Sequence, residues 1–268
     1  MSKVEAEPMD CQKVLDAFAE YTGHYDCSDG KIKLKIDHTY RVAGLCRRIA
    51  SSLGLNDAEA GLAWVIGMLH DIGRFEQLRK YGTFSDAESI DHAHYGVEIL
   101  FHKGRIHDYL VIHEQDAEYG IIRTAIYNHS AYRVESGLDQ RTKMFCDIIR
   151  DADKVDILKV NHDVPLEVIY NASTEELKNA EVTGEVMDQF FEKRAVLRSV
   201  KRTCVDHIVG HAALVFELVY PESLRIVKEQ GYLDKILNYQ SDNPRTREQF
   251  GELRQCMNEY LRNVENRL

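Results

Sequence analysis

The sequence predicts an all-α protein, and three observations carry that expectation. Its 268 residues hold four prolines and one tryptophan among long stretches of Ala, Leu, Glu, Lys and Arg, residues that a helix accommodates well. Apolar side chains recur at three- and four-residue spacing, the period of an amphipathic helix. No internal repeat, heptad array or low-complexity tract interrupts the pattern, and every element that can be placed is a helix.

Residues 1–9 read as a disordered lead. Val14, Phe18 and Tyr21 fall at helical spacing and predict a short helix over 10–21. After a loop over 23–30, Ile36, Val42, Leu45, Ile49 and Leu53 mark a helix from near Ile32 to Gly54. Asn56, with Glu59 three residues on, is a capping arrangement for the next helix. That helix runs into His70 and Asp71 within the most apolar stretch, LAWVIGMLHDIGRFEQ from Leu62 to Gln77, which Gly73 then punctuates. Residues 78–91 are polar and glycine-punctuated and read as a loop with room for a short helical turn. Helices resume over 91–101, 118–129 and 139–158, the last with Phe145, Ile148, Ile149, Ala152, Val155 and Leu158 apolar. Beyond Pro165 lie weaker helices over 174–178 and 184–201 and an apolar one over 203–219. Asn243 and Pro244, as N-cap and first helical residue, open a last helix to about Arg267. Residues 1–30 thus lead in, 31–160 form a core, and 161–268 form a helical extension packed on it.

Bulk properties narrow the function. Lys plus Arg is 34 and Asp plus Glu is 44, a net charge of −10, which argues against a nucleic-acid partner because phosphate backbones need a basic footprint. No stretch approaches the apolar length that spans a bilayer, so no membrane partner is expected. The acidic N-terminus has no apolar signal region. Cys11, Cys27, Cys46, Cys146, Cys204 and Cys256 are scattered without a CxxC pair, as in reduced cytoplasmic proteins.

A run as apolar as Leu62–Gln77 is expected to be buried, so His70 and Asp71 need partners inside. A metal ion satisfies both most simply, taking neutral imidazole and carboxylate in one shell. Reading outward, His38 precedes them in IDHTYRV and Asp153 follows in RDADKVD, each on its own helix among apolar neighbours. At these residues the chain resembles the HD-domain superfamily of metal-dependent phosphohydrolases, whose H…HD…D pattern is matched by His38, His70, Asp71 and Asp153. The agreement extends to DHTYRV, MLHDIG and RDADKVD and covers roughly Ile36 to Leu158.

The resemblance implies an HD-type helical bundle, and two further histidines extend the ligand set. His92, in DHAHYGVEIL, and His129, in AIYNHSAY, stand where two-metal members carry additional ligands. Here the chain departs from many such members, which pair histidines at the later position: Asn128 precedes His129 and Ser130 follows it. Together the six residues would hold one or two divalent transition metals (Mn, Fe, Co, Ni or Zn), Asp71 bridging two ions ~3.5–4 Å apart. A metal-activated water would then hydrolyse a small phosphorylated, nucleotide-like substrate. Asp71 could orient that water, while Arg74, Lys154 and, more weakly, His94 are candidate donors to phosphoryl oxygens.

Taken singly, these residues have plainer readings. His38 reads as a capping or structural histidine, and His92, His94 and His129 read equally well as surface residues. Asp151 and Asp153 both lie one turn from apolar neighbours, so periodicity leaves the last ligand open. The resemblance favours Asp153, because it follows a small residue. Two other functions use the same residues: a di-iron oxygenase and a non-catalytic nucleotide-binding regulatory module. The apolar stretch Ile208 to Tyr220 suits packing on the core, the substrate pocket or a homodimer contact.

Overall fold

The computed structural model describes residues 9–266. The expected lead, save Met9, and the expected end of the last helix at Arg267 lie outside the described residues. Among those described, every regular element is helical, no helix is long and apolar enough to cross a membrane, and the six cysteines are free thiols. The chain divides into two compact units, one ending at Asp153 and the other beginning at Lys154. The boundary expected after residue 160 falls inside a continuous helix, Gln140–Asp163.

The first unit contains α1 (Cys11–Gly23), α2 (Gly30–Ser52), α3 (Asp57–Leu69), α4 (Ile72–Tyr81), α5 (His92–Val97), α6 (Ile106–Tyr109), α7 (Ala117–Asn128) and the first part of α8 (Gln140–Asp163). Helix α3 is its centre. All of Ala60–Leu69 is buried except Trp64, which lies half-buried under the Arg47 guanidinium. Val42, Cys46 and Ile49 of α2 and Ile122, Ala125 and Ile126 of α7, two helices packed on α3, are no more than 1% exposed, as are Phe145, Ile148 and Ile149 of α8. Each such large apolar side chain contributes roughly 1.5–3 kcal/mol over its exposed state. The Asn56 side chain accepts the Glu59 N–H at 2.9 Å, as its position predicts. The Glu59 carboxylate, however, binds Arg141 at 2.7 Å.

Two glycines let the helices that carry the site come together. A Cβ at Gly67 would lie 2.6 Å from the Ala43 Cα, so α2 and α3 pack there backbone to backbone. A Cβ at Gly73 would lie 2.2 Å from the His92 carbonyl oxygen and 2.7 Å from the Gly96 nitrogen, so α4 meets α5 the same way. Helix α4 runs further into the expected loop than the sequence suggested. It ends at Tyr81 because Gly82 takes a left-handed φ of 69° and its N–H closes onto the Leu78 carbonyl.

The second unit continues α8 and adds α9 (Leu166–Tyr170), α10 (Thr174–Asn179), α11 (Gly184–Phe191), α12 (Cys204–Ala212), α13 (Pro221–Gln230), α14 (Tyr232–Leu237) and α15 (Pro244–Glu265). The helix expected over 184–201 stops at Phe191. Lys193 turns left-handed (φ 56°), and the Gln189 side chain accepts the Leu197 N–H, which holds the chain in a loop. The helix expected over 203–219 ends at Ala212 and tightens into a 3-10 turn over Ala213–Glu217. Asn243 caps α15 by accepting the Arg245 N–H at 2.9 Å, with Pro244 at the first position.

Replacing Gly73 with Ala forces a methyl group into the His92 backbone, an overpacking that costs about 1–3 kcal/mol. Urea unfolding of G73A should show a lower midpoint, and an unchanged midpoint would contradict the backbone contact.

Candidate metal centre

His70 and His129 occupy equivalent positions, each the residue after the last of its helix, α3 or α7. A helix ends with carbonyls that have no partner within it. Each histidine uses one: His70 Nδ1 lies 2.7 Å from the Gly67 oxygen, and His129 Nδ1 lies 2.7 Å from the Ile126 oxygen. A carbonyl only accepts, so Nδ1 carries the proton in both rings, and in the neutral ring Nε2 is the bare lone pair. His92, at the start of α5, is fixed by a side chain instead, its Nδ1 donating to Asp86 Oδ2 at 2.8 Å. All three rings are buried.

These lone pairs converge with two carboxylates. His92 Nε2 and His129 Nε2 are 3.0 Å apart, and they lie 3.5 and 3.7 Å from Asp71 Oδ1. On the other side, His38 Nε2 and His70 Nε2 each stand 3.6 Å from Asp71 Oδ2, and 3.2 and 3.9 Å from Asp153 Oδ1. His70 Nε2 is buried without a hydrogen-bond partner among the described residues. Held this close, the bare Nε2 atoms of His70, His92 and His129 repel one another and the carboxylate oxygens. A shared cation reverses the sign of that interaction, and donors about 2.0–2.2 Å from one ion sit roughly 3–4 Å from each other. The donor set therefore fits a divalent metal, with His38, His70 and Asp71 as one group and Asp71, His92 and His129 as another.

Electrostatics keep the donors in metal-ready form. Burial lowers the His70 pKa to about 4, and burial together with the Arg74 charge lowers that of His92 to about 4, so both are neutral at pH 7. Burial alone would raise Asp71 and Asp153. For Asp71 the Lys35 ammonium and the surrounding imidazoles prevail, and for Asp153 the His38 hydrogen bond does, holding both below the usual carboxylate range.

Several residues that shape the site were not singled out from sequence. Lys35 Nζ lies 2.7 Å from Asp71 Oδ2; it stands one helical turn before His38, a spacing that could have flagged it. Asp86 binds His92 and also accepts from Arg74 Nη1 at 2.8 Å and Gln77 Nε2 at 2.9 Å. No local pattern marks it, because its partners come from the preceding helix and the following one. The buried Arg150 donates to the carbonyls of Asn128, His129 and Ala131, gathering the end of α7.

The other sequence candidates sit as follows. Arg74 Nη1 is committed to Gln77, the Phe84 carbonyl and Asp86, while its Nε lies 3.7 Å from Asp71 Oδ1. Exposed His94 stacks on Tyr127 at 4.1 Å. Lys154 is half-buried beside Asp153 along α8. Asp151 is fully buried; of the two acids left open by periodicity, Asp153 faces His38 and His70.

Residues 36–158 match the HD domain family. No curated protein and no solved structure matches the chain. The HD superfamily is one of metal-dependent hydrolases, consistent with the fit of this cluster to a divalent ion.

Asp86→Asn removes the charged acceptor that orients His92, so metal affinity should fall about 10- to 100-fold in a competition titration. Unchanged affinity would show that the ring is held by other means. The metal-free protein should also lose stability in mild acid. His70 and His92 bind protons more readily in the unfolded chain, at about 6.5, than when folded, at about 4. The stability they contribute is complete above about 6.5 and declines as pH falls toward about 4. Chelator-treated protein should melt progressively lower from pH 7 to 4.5, and a flat profile would contradict this account.

Proposed function

We propose that the HD domain formed by residues 36–158 is a metal-dependent phosphohydrolase acting on a small phosphorylated, nucleotide-like molecule. The observation that carries this reading is the division of donors about Asp71, one carboxylate oxygen facing His38 and His70 and the other facing His92 and His129. His38, His70, Asp71 and Asp153 would hold one ion, and Asp71, His92 and His129 a second. Neutral imidazoles with carboxylates suit manganese, iron, cobalt, nickel or zinc. Such an ion supplies Lewis acidity toward a phosphoryl oxygen and lowers the pKa of water toward about 7.

The chain's own residues do the rest. Nδ1 hydrogen bonds hold three imidazoles in the tautomer that presents Nε2. Lys35, only 18% exposed at its side chain, sits beside the shared carboxylate and is placed to meet negative charge developing on phosphoryl oxygens. Phe84 lies 5.5 Å from the Lys35 ammonium and 5.9 Å from the Arg74 guanidinium. Its ring puts an apolar surface beside both cations, where partial exclusion of water strengthens their pull on an anion. Arg74 acts mainly by fixing the 83–91 loop through Asp86 and Gln77, and Lys154 keeps its candidate role as a second donor. Local positive charge of this kind lets a chain of net charge −10 take an anionic substrate. The free thiols accord with a cytoplasmic setting.

Protein loaded with manganese or cobalt should release phosphate from a generic phosphomonoester or from members of a nucleotide panel. Chelation, His70→Ala or Asp71→Ala should abolish the activity. Lys35→Ala should lower kcat by about 10²-fold, as when one donor to a developing oxyanion is lost. Metal-replete protein that is inert across the panel, or that consumes dioxygen with iron while releasing no phosphate, would overturn the reading.

A further inference from the structure

The second unit contains a cation that its own surroundings do not neutralise. Lys201 stands three residues before α12, and its side chain lies along that helix where residue 210 is glycine. A Cβ at Gly210 would be 2.3 Å from Lys201 Nζ and 2.6 Å from Cε, so the missing side chain is what makes room for the ammonium. Burial, reinforced by the Arg198 charge, lowers the Lys201 pKa to about 8, which still leaves it mostly charged at pH 7. Among the described residues no carboxylate pairs with it.

The acid that bears on Lys201 is Asp206, and its oxygens are already occupied. Oδ1 accepts from the Thr183 N–H at 2.8 Å; Oδ2 accepts from the Thr183 hydroxyl at 2.6 Å and from the N–H groups of Arg202 and Thr203 at 2.7 and 2.9 Å. Those bonds hold the chain from Arg202 into α12 in a fixed turn, with Lys201 at its edge. Lys201 is one of the residues lining a cavity of about 470 Å³, together with Tyr170, Arg202, Thr203, Cys204 and His207. The Tyr170 ring stacks on His207 at 5.7 Å and on His211 at 5.7 Å, and its hydroxyl lies 2.8 Å from His211 Nδ1. One wall is thereby fixed. The one carboxylate in the lining, Glu176, is turned to Ser173, whose N–H and hydroxyl it accepts at 2.8 Å.

A partly desolvated ammonium favours an anion, and the exposed Arg202 guanidinium, which donates to the Ser199 carbonyl at 2.5 Å, stands beside it on the same cavity. We propose that this cavity is a second binding site, separate from the metal centre, that takes the phosphate group of a small molecule, with Lys201 as its central cation. Inorganic phosphate and the phosphate of a mononucleotide share this chemistry.

The test uses the full-length, chelator-treated protein, titrated calorimetrically with inorganic phosphate and separately with a nucleoside monophosphate. Saturable binding is expected, weakened at least about tenfold by Lys201→Met and unchanged by His70→Ala. Gly210→Ala is the second variant. Its methyl displaces only the flexible end of Lys201 and suits a helix, so the fold persists while binding should also weaken about tenfold. Equal affinity for the two probes would assign the site to the free ion, and tighter nucleotide binding would assign it to a base-bearing ligand; either upholds the site. Absence of saturable binding below about 10 mM, or full binding in either lysine-pocket variant, would overturn it.

Discussion

Two histidines that hydrogen-bond back onto the ends of their own helices set the chemistry of this protein. His70 and His129 each give the Nδ1 proton to a carbonyl three residues earlier, in the last turn of the helix; the Ile126 carbonyl also takes the His129 backbone N–H at 3.5 Å. The Nδ1 bond closes the helix end, selects the tautomer and turns a lone pair inward. His92 reaches the same state by another route, through Asp86. Burial then keeps His70 and His92 neutral, since charging either without water would be costly. The result is a set of closely held donors that fits a shared cation.

The fold serves that arrangement through close backbone contacts more than through large side chains. Gly67 against Ala43 brings the helix of His38 onto that of His70, and Gly73 against His92 brings the His92 imidazole to Asp71. Arg150 collects the carbonyls around His129, while Gln77 and Arg74 tie down the loop that carries Asp86. These polar anchors are buried or nearly so, which makes each a strong constraint on geometry. Lys35 stands beside the shared carboxylate, so the centre carries a fixed positive charge from the protein itself.

Much of this was legible in the sequence because it is local or periodic. The apolar run ending in His70 and Asp71 announces a buried polar pair, and Asn56 and Asn243 announce helix starts that the structure shows. The resemblance to the HD superfamily points to His38, His92, His129 and Asp153, and the structure brings all four around Asp71 or one another. What stayed hidden depends on tertiary contact. Asp86 lies in a polar loop and gains meaning only when α4 and the start of α5 enclose it. Lys35 was within reach of a spacing argument, but a lysine in a polar helix start usually faces water. The early end of the 184–201 helix turns on Gln189 binding the Leu197 N–H, a bond no propensity reveals. Helices α13 and α14 are amphipathic pieces too short to stand out beside the apolar segment before them.

Donors assembled this closely are suited to share cations, and metal content tests that most directly. Protein purified without chelator should contain about two equivalents of divalent transition metal by inductively coupled plasma mass spectrometry, as a bridged two-ion site requires. His92→Ala should hold about one equivalent, and Asp71→Ala should hold almost none. Wild-type protein that is folded yet carries no metal, and takes up none from manganese, cobalt or zinc, would contradict it.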